Sequence, residues 1–270
     1  MALKDITLGQ YFPGDTPIHR LDPRTKLLLT VVYIVALFLA KQVISYAILL
    51  VVLGVVIALS KVGMKAILRG MKPILIIVLI TGVLNLFYTP GKGAPLVSFW
   101  VLNIYAEGIW AAVFMVLRIA MLITCTFLLT YTTSPILLTD GLESLLGPLK
   151  KIKVPVHELS MMMSIALRFI PTLIEETDKI MSAQKARGAD FDTGNLLEKA
   201  RALVPLLVPL FISAFRRADE LAVAMECRCY HGGEGRTRMR QLRYRRSDVL
   251  FLAGGLVLCV GVGVLGHFGL

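Results

Sequence analysis

The fold class that this sequence predicts is an all-α polytopic membrane protein, with about five transmembrane helices and long amphipathic helices outside the bilayer. Three observations predict it. Of the 270 residues, 56% are hydrophobic, where ordinary soluble domains hold ~45–50%. The mean hydropathy is positive, +0.74. Uncharged apolar runs of span length recur, and the charges concentrate between them.

The spans follow in order. The apolar stretch Thr25 to Ser60 is broken at Lys41-Gln42 and so holds two, each half ~17–20 residues long and just able to cross. A third, short one runs from Pro73 to Tyr88. The fourth, Gly108 to Tyr131, contains Arg118. The fifth, Val249 to His267, is rich in glycine and valine, as close-packed membrane helices often are. No second ionisable residue accompanies Arg118 at membrane depth, so it reads as a buried pairing or snorkelling cation rather than an ion path. Residues 1–20 hold acidic residues, Pro13, Gly14 and Pro17 without an early apolar core, unlike a cleavable signal peptide.

The formal charge of +11 is a topology signal. Lys4, Arg20, Arg24 and Lys26 precede or open the first span. Lys61, Lys65, Arg69 and Lys72 follow the second, and most of the remaining cations lie between the fourth and fifth. The opposite side has Lys41 and Lys92. This asymmetry puts the N-terminus and the long insert in the cytosol. It suits contact with the lipid bilayer and leaves no separate basic surface for nucleic acid. The organisation is therefore 1–133 (N-terminal segment and four spans), 134–247 (cytosolic insert) and 248–270 (last span).

The insert is too long for a structureless loop and reads as three helices. The first, Pro135 to Leu149, has Asp140 and Glu143 in its first half and Lys150-Lys151 at its end, as the helix dipole favours. The second, Val156 to Ala186, carries Ile170, Leu173, Ile174, Thr177, Ile180, Met181 and Gln184 on one face at helical spacing. Pro171 interrupts it, and Gly188 stands where a left-handed C-cap would fall. The third, Leu196 to Cys229, carries a stripe that includes Leu203, Leu207, Leu210, Ala214, Ala218, Leu221 and Met225. Pro205 and Pro209 lie in its early part.

These two long helices align at an offset of 41, which is 228 minus 187. Asp178 then matches Asp219, Ile180 matches Leu221, Ala183 matches Ala224 and Arg187 matches Arg228. The tips read Ala186-Arg187-Gly188 and Cys227-Arg228-Cys229. A helix end presents unpaired carbonyls that welcome any cation. Arginine adds a rigid fork of donors able to pair bidentately with a partner's carboxylate. Two like tips suit two equivalent sockets on a dimeric or pseudo-dimeric partner.

No catalytic pattern is present. The chain lacks G-x-x-x-x-G-K-[ST], G-x-S-x-G and H-E-x-x-H, and its histidines (19, 157, 231, 267) are scattered. Cys227, Cys229 and His231 lack the second ligand pair of a zinc site, so no metal is expected. Cys125 and Cys259 lie in apolar runs as small core residues.

The sequence resembles the transmembrane T component of energy-coupling factor (ECF) transporters, EcfT. The resemblance rests on Leu21-Asp22-Pro23-Arg24-Thr25-Lys26-Leu27, Arg168-Phe169-Ile170-Pro171, Ala183-Gln184-Lys185-Ala186-Arg187-Gly188 and the segment from Glu220 to Tyr230. It covers essentially the whole chain, in order. The resemblance implies a scaffold whose coupling helices dock two ABC-type ATPase subunits through Ala186, Arg187, Gly188 and Cys227, Arg228, Cys229. It also implies an exchangeable membrane S component that binds a vitamin or other micronutrient, seated on an apolar platform that includes Ile170, Leu173, Ile174, Leu207 and Leu210. Asp22, Pro23 and Arg24 would be structural. ATP and Mg would be bound by the ATPases, and this chain would hold no cofactor and perform no catalysis. One departure stands out: Cys227 and Cys229 occupy positions where the family commonly has alanine and glycine. The alternatives are a dedicated T component of a cobalt, nickel or biotin importer and, from another class, a stand-alone ion or solute channel.

Overall fold

The computed structural model describes residues 11–88, 97–99, 102–189, 191, 195–232 and 241–268. Its helices are α1 (Pro23–Leu39), α2 (Val43–Ser60), α3 (Met64–Tyr88), α4 (Ala106–Thr132), α5 (Pro135–Leu146), α6 (Val156–Ala186), α7 (Leu196–Glu226) and α8 (Arg246–Phe268). Between α3 and α4 the sequence reading had no strand. The structure has two three-residue strands, β1 (Val97–Phe99) and β2 (Leu102–Ile104), paired antiparallel with Ser98 opposite Asn103.

By length and composition, Val43–Ser60, Met64–Leu86, Glu107–Thr132 and Arg246–Gly266 are long and apolar enough to cross a membrane. The apolar α1, at 17 residues, spans ~25 Å against a hydrocarbon core of ~30 Å. The third span begins nine residues before the predicted start (73 minus 64), because Pro73 lies inside α3 rather than opening it.

The chain divides into two units. Leu142–Gln241 belongs to one, and Gly9–Gly141 with Leu242–Leu270 forms the other. The larger unit holds the apolar helices. Its core joins Tyr33, Ala36 and Leu37 of α1, Tyr46, Leu49 and Leu53 of α2, Met121 and Cys125 of α4, and Val262 of α8. Glycine allows the close approaches. A Cβ at Gly255 of α8 would come 2.5 Å from Leu29 Cδ2 of α1, and one at Gly82 of α3 would come 2.8 Å from Val116 Cγ2 of α4.

Two cations of this unit, Lys26 and Arg118, each reach a carbonyl at the end of another helix. Lys26, 7% exposed, donates to His19 O at 3.2 Å and to Thr132 O, in the last turn of α4, at 2.8 Å. Arg118 donates through Nε to Tyr46 Oη at 2.8 Å and through Nη2 to Ala40 O, the C-cap of α1, at 3.3 Å. Phe38 and Tyr46 offer it their ring faces. Arg118 is thus accounted for as a half-buried pairing residue.

The smaller unit buries little. Among its described hydrophobic residues, Val156 and Leu206 are buried. Glu143, 8% exposed, accepts or shares a proton with His157 Nδ1 at 3.1 Å and so ties the end of α5 to the start of α6.

Candidate functional site

The two long helices are built alike. Each has 31 residues. Asn195 opens α7 with a capping box: its side chain takes the backbone N–H of Glu198, and its own N–H donates to Glu198 Oε2 at 3.0 Å. Both helices hold internal proline, Pro171 in α6 and Pro205 and Pro209 in α7.

Side chains join them across the pair. Glu176 of α6 accepts a very short hydrogen bond from the Ser213 hydroxyl and one of 2.9 Å from Arg217 Nη2. The Ser213 hydrogen bond is the main cause that holds the Glu176 carboxyl below the usual carboxylate value. Arg217 adds to it, against a desolvation penalty. A second contact follows from proline chemistry. Pro209 has no N–H, so Pro205 O lacks its helical donor, and Gln184 Nε2 donates to that oxygen at 3.5 Å. As the contact climbs α6 from 176 to 184 it descends α7 from 217 to 205, so the helices run antiparallel.

The offset of 41 that aligns the arginines also relates Glu176 to Arg217, the two residues that pair. Each arginine lies 11 residues past its member of that pair (187 minus 176, 228 minus 217), or ~16 Å along its helix. Antiparallel helices carry those two ends away from the pairing zone in opposite directions.

The tips themselves match in hydrogen bonding. At the end of α6, Arg187 N donates to Gln184 O at 3.0 Å, Gly188 N to Lys185 O at 3.0 Å and Ala189 N to Gln184 O at 3.0 Å. At the end of α7, Arg228 N donates to Met225 O at 3.1 Å, Cys229 N to Glu226 O at 2.9 Å and Tyr230 N to Met225 O at 3.0 Å. Donors and acceptors all correspond at the same offset of 41. Both ends are Schellman motifs with arginine on the last turn and a left-handed residue next. That residue is Gly188 at φ +89 in one and Cys229 at φ 57 in the other. Cysteine therefore adopts the backbone for which glycine is suited, with a steric cost that glycine escapes.

Ala186, Arg187, Gly188, Cys227, Arg228 and Cys229 are all exposed. Cys227 and Cys229 are free thiols, and among the described residues no three His, Cys, Asp or Glu converge as a metal site requires.

The residues expected to form an apolar platform divide. Leu207 is 48% exposed, whereas Ile170, Leu173, Ile174 and Leu210 are half-buried. A more exposed ridge runs along α7 through Val204, Val208, Phe211 and Phe215, at 53%, 54%, 60% and 69% exposure. Their spacings of four, three and four form a second apolar face beside the stripe read from the sequence. That spacing was the signal by which they could have been found.

Asp22, Pro23 and Arg24 make a joint between helix starts. Asp22 caps α1, accepting from Arg24 N at 2.9 Å and Arg24 Nε at 3.0 Å, with Pro23 at the first helical position. Arg24 covers the Tyr244 ring at 4.0 Å. Asp22 N donates to Asp248 Oδ1 at 2.9 Å, and Asp248 Oδ2 accepts from Arg245 N at 2.7 Å. Asp248, which is fully buried, is a member of this joint that the sequence reading did not single out.

A family described as "Cobalt transport protein" matches residues 14–239. The energy-coupling factor transporter transmembrane protein EcfT of Clostridium kluyveri is 57% identical over 96% of this chain and 97% of that protein. The EcfT proteins of Bacillus subtilis and Lactococcus lactis are 50% and 45% identical, again over nearly the whole of both chains. With this identity along its length, and with its apolar helices and paired arginine tips in sequence order, the chain belongs to the EcfT family, the transmembrane components of energy-coupling factor transporters.

Proposed function

We propose that this transporter component is the coupling subunit of an ATP-driven importer for a vitamin or other micronutrient. In this reading Arg187 and Arg228, with Ala186, Gly188, Cys227 and Cys229, dock two ABC-type ATPase subunits. ATP and Mg belong to those partners, and this chain binds no cofactor and catalyses nothing. An exchangeable membrane S component, which selects the substrate, seats on α7 at the exposed Leu207 and on the neighbouring ridge of Val204, Val208, Phe211 and Phe215. The N-terminus and the region 134–247 face the cytosol, as the cation asymmetry favours. The observation that carries the reading is the repeated tip: one capping geometry, one arginine position and one offset of 41. Two copies of a motif fit two related sockets. Their antiparallel arrangement lets the two ends meet separate subunits.

The test removes both forks. Arg187→Ala with Arg228→Ala should abolish co-purification of the ATPases while the chain still inserts, because a desolvated charge pair at an interface is worth ~2–5 kcal/mol to binding. Purified ATPases should rebind the unaltered chain in inside-out vesicles and not in right-side-out ones. Full assembly by the double variant refutes the docking role, and rebinding to right-side-out vesicles refutes the orientation. The family description names cobalt transport, which keeps a dedicated metal importer as the second reading. Identification of the S component that co-purifies separates the two.

A further inference from the structure

α5 ends at Leu146 and passes directly into a 3₁₀ turn, Gly147–Ile152. A 3₁₀ turn has three residues per turn, so side chains three apart eclipse. Leu146, Leu149 and Ile152 are spaced by three, and they are 36%, 38% and 76% exposed. Ile152 is the most exposed large hydrophobic residue among those described. An apolar ridge left in the open marks a contact surface.

Charge surrounds this ridge. Lys150, Lys151 and Lys153 are all exposed, and none makes an ion pair among the described residues. The backbone beneath them is built. Lys153 takes φ 61, its N–H donates to Lys150 O at 3.1 Å, and Val154 N donates to Leu149 O at 3.4 Å. The turn follows a span along the chain. Two residues and the 12-residue α5 separate it from the end of α4, a reach of at most ~25 Å.

We propose that Gly147–Lys153 is a membrane-surface anchor. The Leu146–Leu149–Ile152 ridge enters the headgroup layer of an anionic phospholipid bilayer, and Lys150, Lys151 and Lys153 meet lipid phosphates. Charge complementarity selects this occupant. A protein groove would have to supply an apolar slot and acidic groups in matching places, whereas an acidic bilayer surface presents both everywhere. Three residues after Lys153, α6 begins. The anchor thus holds the start of α6 at the bilayer surface while its arginine tip remains free to move. This inference does not depend on which partner meets the tips.

The test uses the full chain in vesicles, with Ile152→Trp as the reporter in a background of Trp100→Phe and Trp110→Phe. In phosphatidylglycerol–phosphatidylcholine vesicles the emission should shift to the blue and be quenched severalfold more by brominated acyl chains than by iodide. Both effects should be lost in pure phosphatidylcholine vesicles. They should also be lost when Lys150, Lys151 and Lys153 are changed to Gln. Water-like emission with strong iodide quenching in the anionic vesicles overturns the proposal. So does a blue shift that appears only when the ATPases are added, which would make the turn a protein contact. A shift that is equal in both vesicle types and survives the triple Gln change also overturns it.

Discussion

Position 229 puts a side chain where glycine fits best. Cys229 has φ 57 and Gly188 has φ 89, yet each is followed by a residue whose N–H reaches the same carbonyl of the last turn, Met225 or Gln184. The left-handed region costs an L-residue roughly 1 kcal/mol or more, and glycine returns part of that gain through its looser unfolded chain. Cys229→Gly should therefore stabilise its tip by about 0.5–1 kcal/mol. Gly188→Ala should weaken the other by a similar amount. A Cβ at 188 meets open space, so conformational strain alone would be responsible. Hydrogen exchange at the Tyr230 and Ala189 amides reports each tip, and the two changes should move protection in opposite directions. The departure at 229 was visible in the sequence. Its backbone was not, because the left-handed turn depends on where α7 ends.

At the scale of elements, α6 and α7 are joined by polar contacts along their flanks, and the apolar ridge of α7 is left outward. Glu176 supplies a pH-sensitive part of that hold. Its folded-state affinity for protons is depressed, chiefly by Ser213. Its contribution is therefore complete above the ordinary carboxylate value of 4.5 and is lost as pH falls below that value toward its own depressed one. A spin-label distance between α6 and α7 should broaden as the solution is acidified through this window. Glu176→Gln should remove most of that response and leave a looser pair at neutral pH. A distance distribution that is unchanged by pH would count against this role. The lengths of α6 and α7 and their apolar periodicity were legible in the sequence, since both follow from helical spacing. The pairing of Glu176 with Arg217 was not. It required the two helices to be placed antiparallel with a particular register.

At the scale of the whole molecule, the apolar helices are packed through glycine and fastened at their ends. The Asp22–Asp248 joint connects residues 226 positions apart in sequence. Asp248→Ala would leave two backbone N–H groups, those of Asp22 and Arg245, without their acceptor. Each such loss costs about 1–3 kcal/mol when buried. The midpoint of thermal unfolding in detergent should fall clearly for Asp248→Ala and less for Asp248→Asn, which keeps one acceptor oxygen. Equal midpoints for both variants and the parent chain would exclude the joint as a stabilising feature.

The sequence was enough to place this chain in a membrane, to locate its apolar helices, all but the start of α3 within a few residues, and to pick out two related arginine ends. These properties are local: they depend on runs of side chains and on spacing along one helix. Three others depend on which elements meet. The joint at Asp248 exists because α1 and α8 start side by side. Lys26 and Arg118 are satisfied by carbonyls at the ends of other helices, so their partners lie far away in sequence. Which of the two apolar faces of α7 is left outward is set by which face packing covers, a choice that periodicity along one helix does not make. Repeated tips could thus be recognised in one dimension, while their opposite directions arise from an antiparallel pairing in three.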